Sequence, residues 1–396
     1  MQTSMRTATV ILAALSGAAS AADWELNPRV EAGYLYDNNY RLSPPGTEVG
    51  VQGPLADAQL EMRARTQQGE FSFTPRVSAT YFPDHQELDA IDYFGTLYWQ
   101  HRGQRVTTEI HGEYSQQDVV NSEQPHAEVP ADSGLGEGDT GDAGIAFLPN
   151  RRHRAAVRPV LDFEISQKRS VRLAANYADV KFDEQFYGAQ QDYQSGDVSA
   201  ALVTRITPVS SLTARLRAAQ YDIETLGDSD SYGAELQWDT RTAAEMEAFV
   251  RVGAQNVKYE SGVKENAWLA GAGVSMPFGR NQLFADLVRT VGPSSAGIII
   301  TRDQLRVRWQ RDFTPRLAFL LGVRGTHDED ISDGGTFRPR TYATGDIGLQ
   351  WRWEEEFSLL MAYDYTWQKF DQSALDPATS SGASISVIYQ PLQRRR

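Results

Sequence analysis

The sequence contains no cysteine, and this absence excludes several kinds of chemistry. Without thiols the chain has no disulfide, no thiolate metal site, no cysteine nucleophile and no lipid on an N-terminal cysteine. The chain also lacks an apolar run of the roughly 20 residues that a membrane-spanning helix needs. Its formal net charge of −14 leaves no excess of positive charge to attract a nucleic acid, so no nucleic-acid partner is expected.

Histidine is scarce too, with six in 396 residues. No two histidines have the spacing of a metal site, and the G-x-S-x-G motif of serine hydrolases is absent. His111 stands between Glu109 and Glu113, a pattern that a catalytic base could use. Because the rest of a catalytic motif is missing, we interpret His111 as an ordinary polar side chain. We predict that the protein is not an enzyme and needs no cofactor and no metal.

The N-terminus has the features of a secretory signal peptide. Arg6 supplies a positive charge, residues 9–15 are a short apolar segment, and Ala19-Ser20-Ala21 is typical of a cleavage site. We therefore expect residues 1–22 to be removed after secretion. Residues 23–396 contain no sign of a second domain, so they are predicted to fold as one unit.

Apolar and polar residues alternate along most of this mature chain. Phe71, Phe73 and Val77, for example, alternate with Ser72 and Arg76. A period of two is typical of a β-strand with one apolar and one polar face. The same pattern recurs in residues 29–36, 60–65, 106–114, 157–165, 171–178, 305–309 and 357–366.

The segments between the strands come in two lengths, and the two lengths take turns. Short turns are expected at 67–70, 102–105, 166–170, 207–211, 241–244, 277–281, 312–316 and 354–356. Longer polar loops are expected at 38–53, 84–90, 117–153, 183–191, 223–230, 259–266, 292–299, 328–338 and 369–381. Short periplasmic turns and longer extracellular loops are typical of an outer-membrane β-barrel, with both termini on the periplasmic side.

A soluble β-sandwich would alternate as well, but its strands are usually about five or six residues long. Here many segments run for about 10 residues or more, the length that a tilted membrane strand needs. Aromatic residues lie near their ends, as in interfacial girdles: Trp24, Tyr81, Trp99, Tyr114, Tyr177, Trp238, Trp309, Trp351 and Tyr389. The sequence therefore predicts an all-β fold: a single antiparallel transmembrane β-barrel of about 18 strands, within a range of about 16 to 18, in the outer membrane of a Gram-negative bacterium.

Several phrases of the sequence resemble a known family of outer-membrane barrels. They are PRVEAGYLYDNNYRLS, ISQKRSVRLAANYADVKFD, DYQSGDVSAALVTRITPVSSLTARLRAAQYD and RDQLRVRWQRDFTPRLAFLLGVRG. In wording and order they are similar to the β-barrel porin 2 family, and the resemblance covers most of the mature chain. The resemblance implies an outer-membrane barrel, and some members of that family are associated with exopolysaccharide production. One departure is the end of the chain, where Tyr389 is followed by residues 390–396 instead of closing on an aromatic residue.

The polar faces of the strands carry many charged residues of both signs. Those predicted to line the lumen are Arg63, Arg65, Arg76, Glu109, His111, Glu113, Arg158, Asp162, Glu164, Arg172, Arg215, Arg217, Arg251, Arg306 and Arg308. A barrel of roughly 18 strands normally encloses an aqueous channel. We therefore predict a porin-like channel that passes polar solutes or saccharides, with an exopolysaccharide export system as one setting. A non-conducting scaffold barrel of an envelope assembly is the alternative, and an outer-membrane hydrolase is a more remote one.

Two loops admit more than one interpretation. Residues 117–153 are rich in glycine and acids and either fold inward as a constriction or extend from the surface. The acidic stretch HDEDISDGG, residues 327–335, offers oxygens to Ca²⁺, but its spacing matches no EF-hand loop. A solvated acidic loop is the favoured interpretation there.

A barrel in the outer membrane has expected partners. They are outer-membrane lipid and lipopolysaccharide, the outer-membrane assembly machinery, and polysaccharide or export partners.

Overall fold

The computed structural model describes residues 22–123, 149–185, 190–224, 227–242, 245–331, 339–371 and 376–391. The predicted signal peptide lies outside these residues apart from Ala22. In the described part the chain forms long β-strands joined alternately by short turns and longer connections. The strands are β1 (Asp23–Asp37), β2 (Val51–Arg65), β3 (Gly69–Thr80), β4 (Ala90–Arg102), β5 (Val106–Asp118), β6 (Arg151–Ser166), β7 (Arg169–Phe182), β8 (Tyr193–Thr207), β9 (Ser210–Ile223), β10 (Gly227–Arg241), β11 (Glu247–Tyr259), β12 (Lys264–Phe278), β13 (Asn281–Ser294), β14 (Ile298–Thr314), β15 (Leu317–Asp330), β16 (Arg340–Arg352), β17 (Phe357–Phe370) and β18 (Ala378–Tyr389).

These strands form one closed antiparallel barrel. Each strand pairs with the next in sequence, and β1 pairs with both β2 and β18. Val30 of β1 opposes Ala58 on one side and Tyr389 on the other. Closure gives every strand two neighbours, which removes the free edges that an open sheet would expose. The predicted all-β barrel is confirmed, and so is its number of strands, 18 in the described residues.

The exterior of the barrel is apolar. Leu216, Val198 and Leu26 are among its most exposed side chains, at 67%, 59% and 60% of their maximum accessibility. The strand register keeps such residues on one face, because Val198 of β8 opposes Ala218 of β9, and Leu216 of β9 opposes Ala234 of β10. A soluble protein does not expose an apolar surface of this extent, whereas a barrel in lipid requires it.

Most of the aromatic residues predicted to mark strand ends lie on this exterior face. Trp24, Tyr81, Tyr114, Tyr177, Trp238 and Trp351 are all between 40% and 48% exposed. Rings at this position are amphipathic enough to lie at the level of lipid headgroups.

Some predicted loop bounds are wrong, because strands continue through them. The loop predicted at 223–230 shrinks to the segment between Ile223 and Gly227, and the loop predicted at 292–299 shrinks to a turn between Ser294 and Ile298. Beyond the apolar band β10 is polar on both faces at Asp228, Ser229 and Asp230, whereas the end of β13 carries Gly292 and Pro293, which are typical of a loop. The alternation of polarity therefore ends before the strand does, and the sequence signal resembles a loop.

Helical structure is minor. A turn of 3₁₀-helix covers Gln86–Leu88, and one short helix, α1, covers Val119–Glu123. Within the described residues, no helix has the length and hydropathy to cross a membrane.

The apolar core of the molecule lies inside the barrel at the end that carries the longer connections. We call this end the mouth. Its main cluster joins Val119 of α1 to strand residues from β7 to β14, among them Phe182, Tyr221, Val257 and Ile299. A smaller cluster packs Tyr40 and Phe82 against Val120 of α1, and a third packs Leu42 against Tyr342 and Ala378.

One hairpin leaves the barrel wall at the mouth. The ladder between β12 and β13 ends at Ala270 and Arg289, whereas the ladder between β13 and β14 continues to Ser294 and Ile298. We call residues 290–300 the β13–β14 tip. Within the barrel β13 also contacts β8 and β9, which are not its neighbours in the sheet. The tip therefore bends into the mouth.

Candidate functional site

The candidate site is the interior wall of the barrel together with its mouth. Every residue predicted to line the lumen lies on a strand, in the register position opposite to the apolar exterior. They are Arg63 and Arg65 on β2, Arg76 on β3, Glu109, His111 and Glu113 on β5, Arg158, Asp162 and Glu164 on β6, Arg172 on β7, Arg215 and Arg217 on β9, Arg251 on β11, and Arg306 and Arg308 on β14. Their part in a channel stays a proposal.

Arginine and carboxylate side chains pair across neighbouring strands of this wall. Arg172 of β7 opposes Asp162 of β6, and its Nε and Nη2 donate to the two carboxylate oxygens at 2.9 Å each. Arg215 of β9 donates to Glu235 of β10 at 2.7 Å. The planar guanidinium matches a carboxylate on the next strand, so the register itself sets the pairing.

The wall formed by β8 to β11 is rich in such contacts. Arg217 donates to Asp197 of β8 at 2.8 Å, and Arg251 of β11 lies 3.8 Å from the Glu235 carboxylate. Glu235 is therefore shared by two arginines. This part of the interior presents more guanidinium groups than carboxylates, so it is locally positive.

The pair between Asp286 of β13 and Arg306 of β14 is the most deeply buried of the charged pairs among the predicted residues. Arg306 Nε donates to Asp286 at 2.9 Å, and its Nη2 makes a second bond. The side chains are 5% and 0% exposed for the arginine and the aspartate. The Arg306 guanidinium also lies 5.3 Å from the centre of the Phe284 ring. A charge this far from water needs its partner.

The interior of β2 and β3 contains a second group of pairs. Arg63 donates to Glu61 at 2.5 Å and lies 3.4 Å from Glu70, which also lies 3.5 Å from Arg65. Arg76 donates to Asp57 at 2.6 Å. The arginines of these pairs, Arg63, Arg65 and Arg76, are 29%, 48% and 40% exposed and thus more exposed than Arg306.

On β5, His111 makes contacts with the groups next to it. Its Nε2 lies 3.8 Å from Glu109, and its ring centre lies 4.9 Å from that of Tyr98. Glu109 also accepts a hydrogen bond of 2.6 Å from Gln100, and Glu113 pairs with Arg154. Arg158 and Arg308 take part in further interactions, while Glu164 is exposed near a short turn.

The sequence did not identify the charged groups at the mouth. Asp328 is 0% exposed and accepts hydrogen bonds from Arg302 at 2.6 Å and from Arg340 at 3.2 Å. The favoured interpretation of HDEDISDGG as a solvated loop is therefore wrong for Asp328, because β15 continues to Asp330 and turns this carboxylate inward. Residues 325–329 are glycine or polar, so no alternation of polarity in the sequence marked this continuation of β15. Among the residues that the structure describes, no group of acids and histidines is arranged to hold a metal ion.

The mouth is crossed by the connection between β1 and β2 and by α1. Tyr40 donates from its hydroxyl to Asn121 of α1 at 3.2 Å, and Asn121 donates to Asp92 of β4 at 2.6 Å. Arg41 lies 3.4 Å from Asp118 at the end of β5. Burial raises the pKa of the Tyr40 hydroxyl, and the carboxylates of Asp118 and Asp92 raise it further. Of the two alternatives for residues 117–153, α1 at Val119–Glu123 lies inside the mouth, while residues 124–148 lie outside the described part.

Further hydrogen bonds join other connections inside the mouth. Asn150 donates to Gln190 at 2.7 Å, and the backbone N–H of Gln191 donates to the carbonyl of Ser295 in the β13–β14 tip at 2.9 Å. Gln190 and Ser295 are fully buried. Described residues of the connections therefore meet inside the mouth and narrow it.

A closed antiparallel barrel with an even number of strands, an apolar exterior and a charged interior has the architecture of outer-membrane β-barrel proteins. No family model matches the chain and no curated protein matches it, so the resemblance to the β-barrel porin 2 family stays a prediction. Among solved structures the chain is similar to OpdO of Pseudomonas aeruginosa, with 13% identity over 94% of this chain and 97% of that one and a TM-score of 0.48. It is similar also to the outer membrane protein opdK of Pseudomonas aeruginosa, with 12% identity over 93% and 99% and a TM-score of 0.47.

A third similar structure is the siderophore receptor PirA of Acinetobacter baumannii, with 8% identity over 93% of this chain and 80% of that one and a TM-score of 0.45.

Proposed function

We propose that this protein is a porin-like channel of the Gram-negative outer membrane, which lets polar solutes, saccharides among them, pass through its charged interior. The observation that carries this proposal is the separation of the two faces of one closed wall. Leu216 on the exterior and its neighbours Arg215 and Arg217 on the interior belong to the same strand. A lipid-facing apolar surface around a charged, hydratable interior is what a passive channel requires.

The pairing of charges supports polar solutes without a large net charge. Each interior arginine named above has a carboxylate or another partner close by, so the wall as a whole is not a strong ion filter. Guanidinium forks and carboxylates also offer donors and acceptors to sugar hydroxyls. The resemblance to a family associated with exopolysaccharide production makes polysaccharide export one setting for such a channel, with export proteins as partners.

A liposome-swelling assay tests this proposal. The mature protein, residues 23–396, is reconstituted into vesicles that are then mixed with neutral sugars of increasing size, an amino sugar and a sugar acid. We expect swelling that slows as the sugar grows, with neutral sugars entering at least as fast as the charged ones. Vesicles that swell no faster than protein-free vesicles contradict the channel.

A second candidate is a non-conducting scaffold barrel, and the filled mouth favours it. Val119, Ile299 and Gln190 are each at most 1% exposed inside the mouth. A barrel that stays closed there would bind partners of an envelope assembly and conduct nothing. Absence of swelling together with capture of the same envelope proteins from intact membranes supports this candidate.

The hydrolase alternative gains no support from His111. Its imidazole lies 3.8 Å from the Glu109 carboxylate and beside the Tyr98 ring, contacts that an ordinary polar side chain of the wall also makes.

The proposed location also determines the surroundings of the barrel. Lipid and lipopolysaccharide would contact the apolar exterior, and the assembly machinery would meet the last strand, β18, which ends at Tyr389. The cleaved signal peptide at residues 1–22 remains part of the same proposal.

A further inference from the structure

The barrel wall has a seam at the mouth between β12 and β13. On its β11 side, β12 is paired as far as Lys264, which opposes Lys258. On its β13 side, the pairing stops at Ala270 and Arg289. Residues 264–269 of β12 therefore have one paired edge and one edge without a strand partner among the described residues. An unpaired edge leaves backbone N–H and C=O groups that a neighbouring strand could satisfy.

The sequence of β13 accounts for the position of the seam. Gly292 and Pro293 follow shortly after Arg289, and both weaken a strand inside a sheet. Proline in particular has no N–H to donate to a neighbour. Arg289 marks the last paired position, where its guanidinium lies 4.4 Å from the Trp268 ring and donates to Asp303 at 2.8 Å. These contacts fix the base of the β13–β14 tip.

Instead of pairing with β12, the tip packs into the mouth. Val291 and Ile299 are 6% and 0% exposed and belong to the same apolar cluster as Val257 and Ala267. The tip also receives the hydrogen bond from Gln191 to Ser295. In addition, β13 contacts β8 and β9, from which β10, β11 and β12 separate it around the wall.

We propose that the β13–β14 tip is a gate that moves between the mouth and the free edge of β12. In one position its apolar side chains are buried and the mouth is narrowed. In the other, β13 continues its ladder along β12, so that Val291 comes opposite Trp268 and Ser294 opposite Glu265. The mouth position buries the apolar side chains of the tip, whereas the wall position pairs the backbone of the tip with the edge of β12. Movement to the wall withdraws the tip from β8 and β9 and widens the mouth.

As a regulator of solute passage this gate rests on the proposed channel function, but the movement itself can be measured without any conduction. Because the chain has no cysteine, introduced pairs report on single contacts. Gln191→Cys with Ser295→Cys reports the mouth position, and Glu265→Cys with Ser294→Cys reports the wall position. Thr301→Cys with Glu329→Cys is the matched control, because these residues already oppose each other between β14 and β15 near the same end.

We expect both reporter pairs to form disulfides in membranes under mild oxidation, the wall-position pair more slowly than the control. A wall-position pair that stays reduced while the control is fully oxidised overturns the gate. Each variant is first checked for folding by its heat-modifiable migration on a gel. Pro293→Thr is an independent variant: it restores an N–H at the seam, so we expect it to speed formation of the wall-position disulfide severalfold, and an unchanged rate contradicts the proposal.

Conduction then tests the role of the movement. We expect the mouth-position disulfide to lower sugar flux and the wall-position disulfide to raise it severalfold, with both effects reversed by a reductant. Equal flux through the two cross-linked forms overturns the gate. If neither form conducts, the gating role fails together with the channel function, whereas the disulfide rates still report whether the tip moves.

Discussion

Asp286 on β13 and Arg306 on β14 oppose each other in the strand register and form an ion pair in which the aspartate is 0% and the arginine 5% exposed. Two hydrogen bonds join them, and the Phe284 ring lies against the guanidinium. Such a pair contributes little net stability by comparison with apolar residues, but removing the carboxylate takes away the opposite charge that offsets the burial of the guanidinium.

Asp286→Asn is therefore expected to destabilise the barrel by about 3–5 kcal/mol, because Arg306 stays charged and buried. Asp162→Asn is the matched control, since its partner Arg172 is 45% exposed and a surface pair is worth about 1 kcal/mol or less. Urea-induced unfolding from lipid vesicles, followed by tryptophan fluorescence, measures both. Equal losses for the two variants would contradict the burial argument.

The assignment of exterior and interior faces predicts opposite outcomes for neighbouring positions of β10. Leu236→Arg places a charge on the lipid side and is expected to cost about 2–4 kcal/mol if the residue lies near the bilayer midplane. Gln237→Arg points inward, where the Gln237 side chain donates to Asp239 at 2.6 Å, and is expected to cost less than about 1 kcal/mol. The same unfolding assay compares them, and a reversed order would mean that the faces have been assigned the wrong way round.

The contact between Tyr40 and Asn121 links the β1–β2 connection to α1 and is expected to hold the mouth narrow. Tyr40→Phe removes a hydrogen bond worth about 1 kcal/mol, so the fraction of time in a wider state should rise about fivefold. The control is Tyr36→Phe on the exposed exterior of β1. Single-channel recording measures the open fraction, and a Tyr40→Phe channel that behaves like the control would exclude Tyr40 as a latch.

The locally positive wall of β9 predicts a change in ion selectivity. Replacing Arg215 and Arg217 together by Gln removes two cations beside Glu235 and Asp197, so the channel should become more cation-selective. The shift should be larger at 0.1 M salt than at 1 M, because the screening length falls from about 10 Å to about 3 Å. Arg241→Gln, at the exposed end of β10, is the control. The reversal potential across a salt gradient measures the ion selectivity of each channel. Equal reversal potentials for the double variant and the Arg241→Gln control would contradict the passage of ions along this wall.

The barrel fold and the face on which each strand side chain lies were predictable from the sequence, because both depend on the residue pattern within a strand and on the turn that follows it. The alternation of Phe71, Ser72 and Phe73 fixes which side chain faces which way, and a short turn forces the next strand to be antiparallel. The ion pairs then follow from the register, as for Asp162 and Arg172.

The mouth was not predictable in the same way. The departure of β13 from β12 after Arg289 depends on apolar contacts of Val291 and Ile299 with distant strands, and a local pattern contains no information about them. Gly292 and Pro293 mark the place, but in the sequence they indicate a loop as readily as a hairpin that bends inward. The same holds for Asp328, whose partners Arg302 and Arg340 come from two other strands.

If the interior of the barrel is a path for polar solutes, the refolded mature protein should conduct ions in a planar bilayer, and single-channel recording measures this. Neutral and acidic oligosaccharides are added on one side while the current is recorded. We expect steady conductance steps that the sugars block in a concentration-dependent way. A folded, heat-modifiable barrel that produces no conductance steps, even with the β13–β14 tip cross-linked to β12, would contradict it.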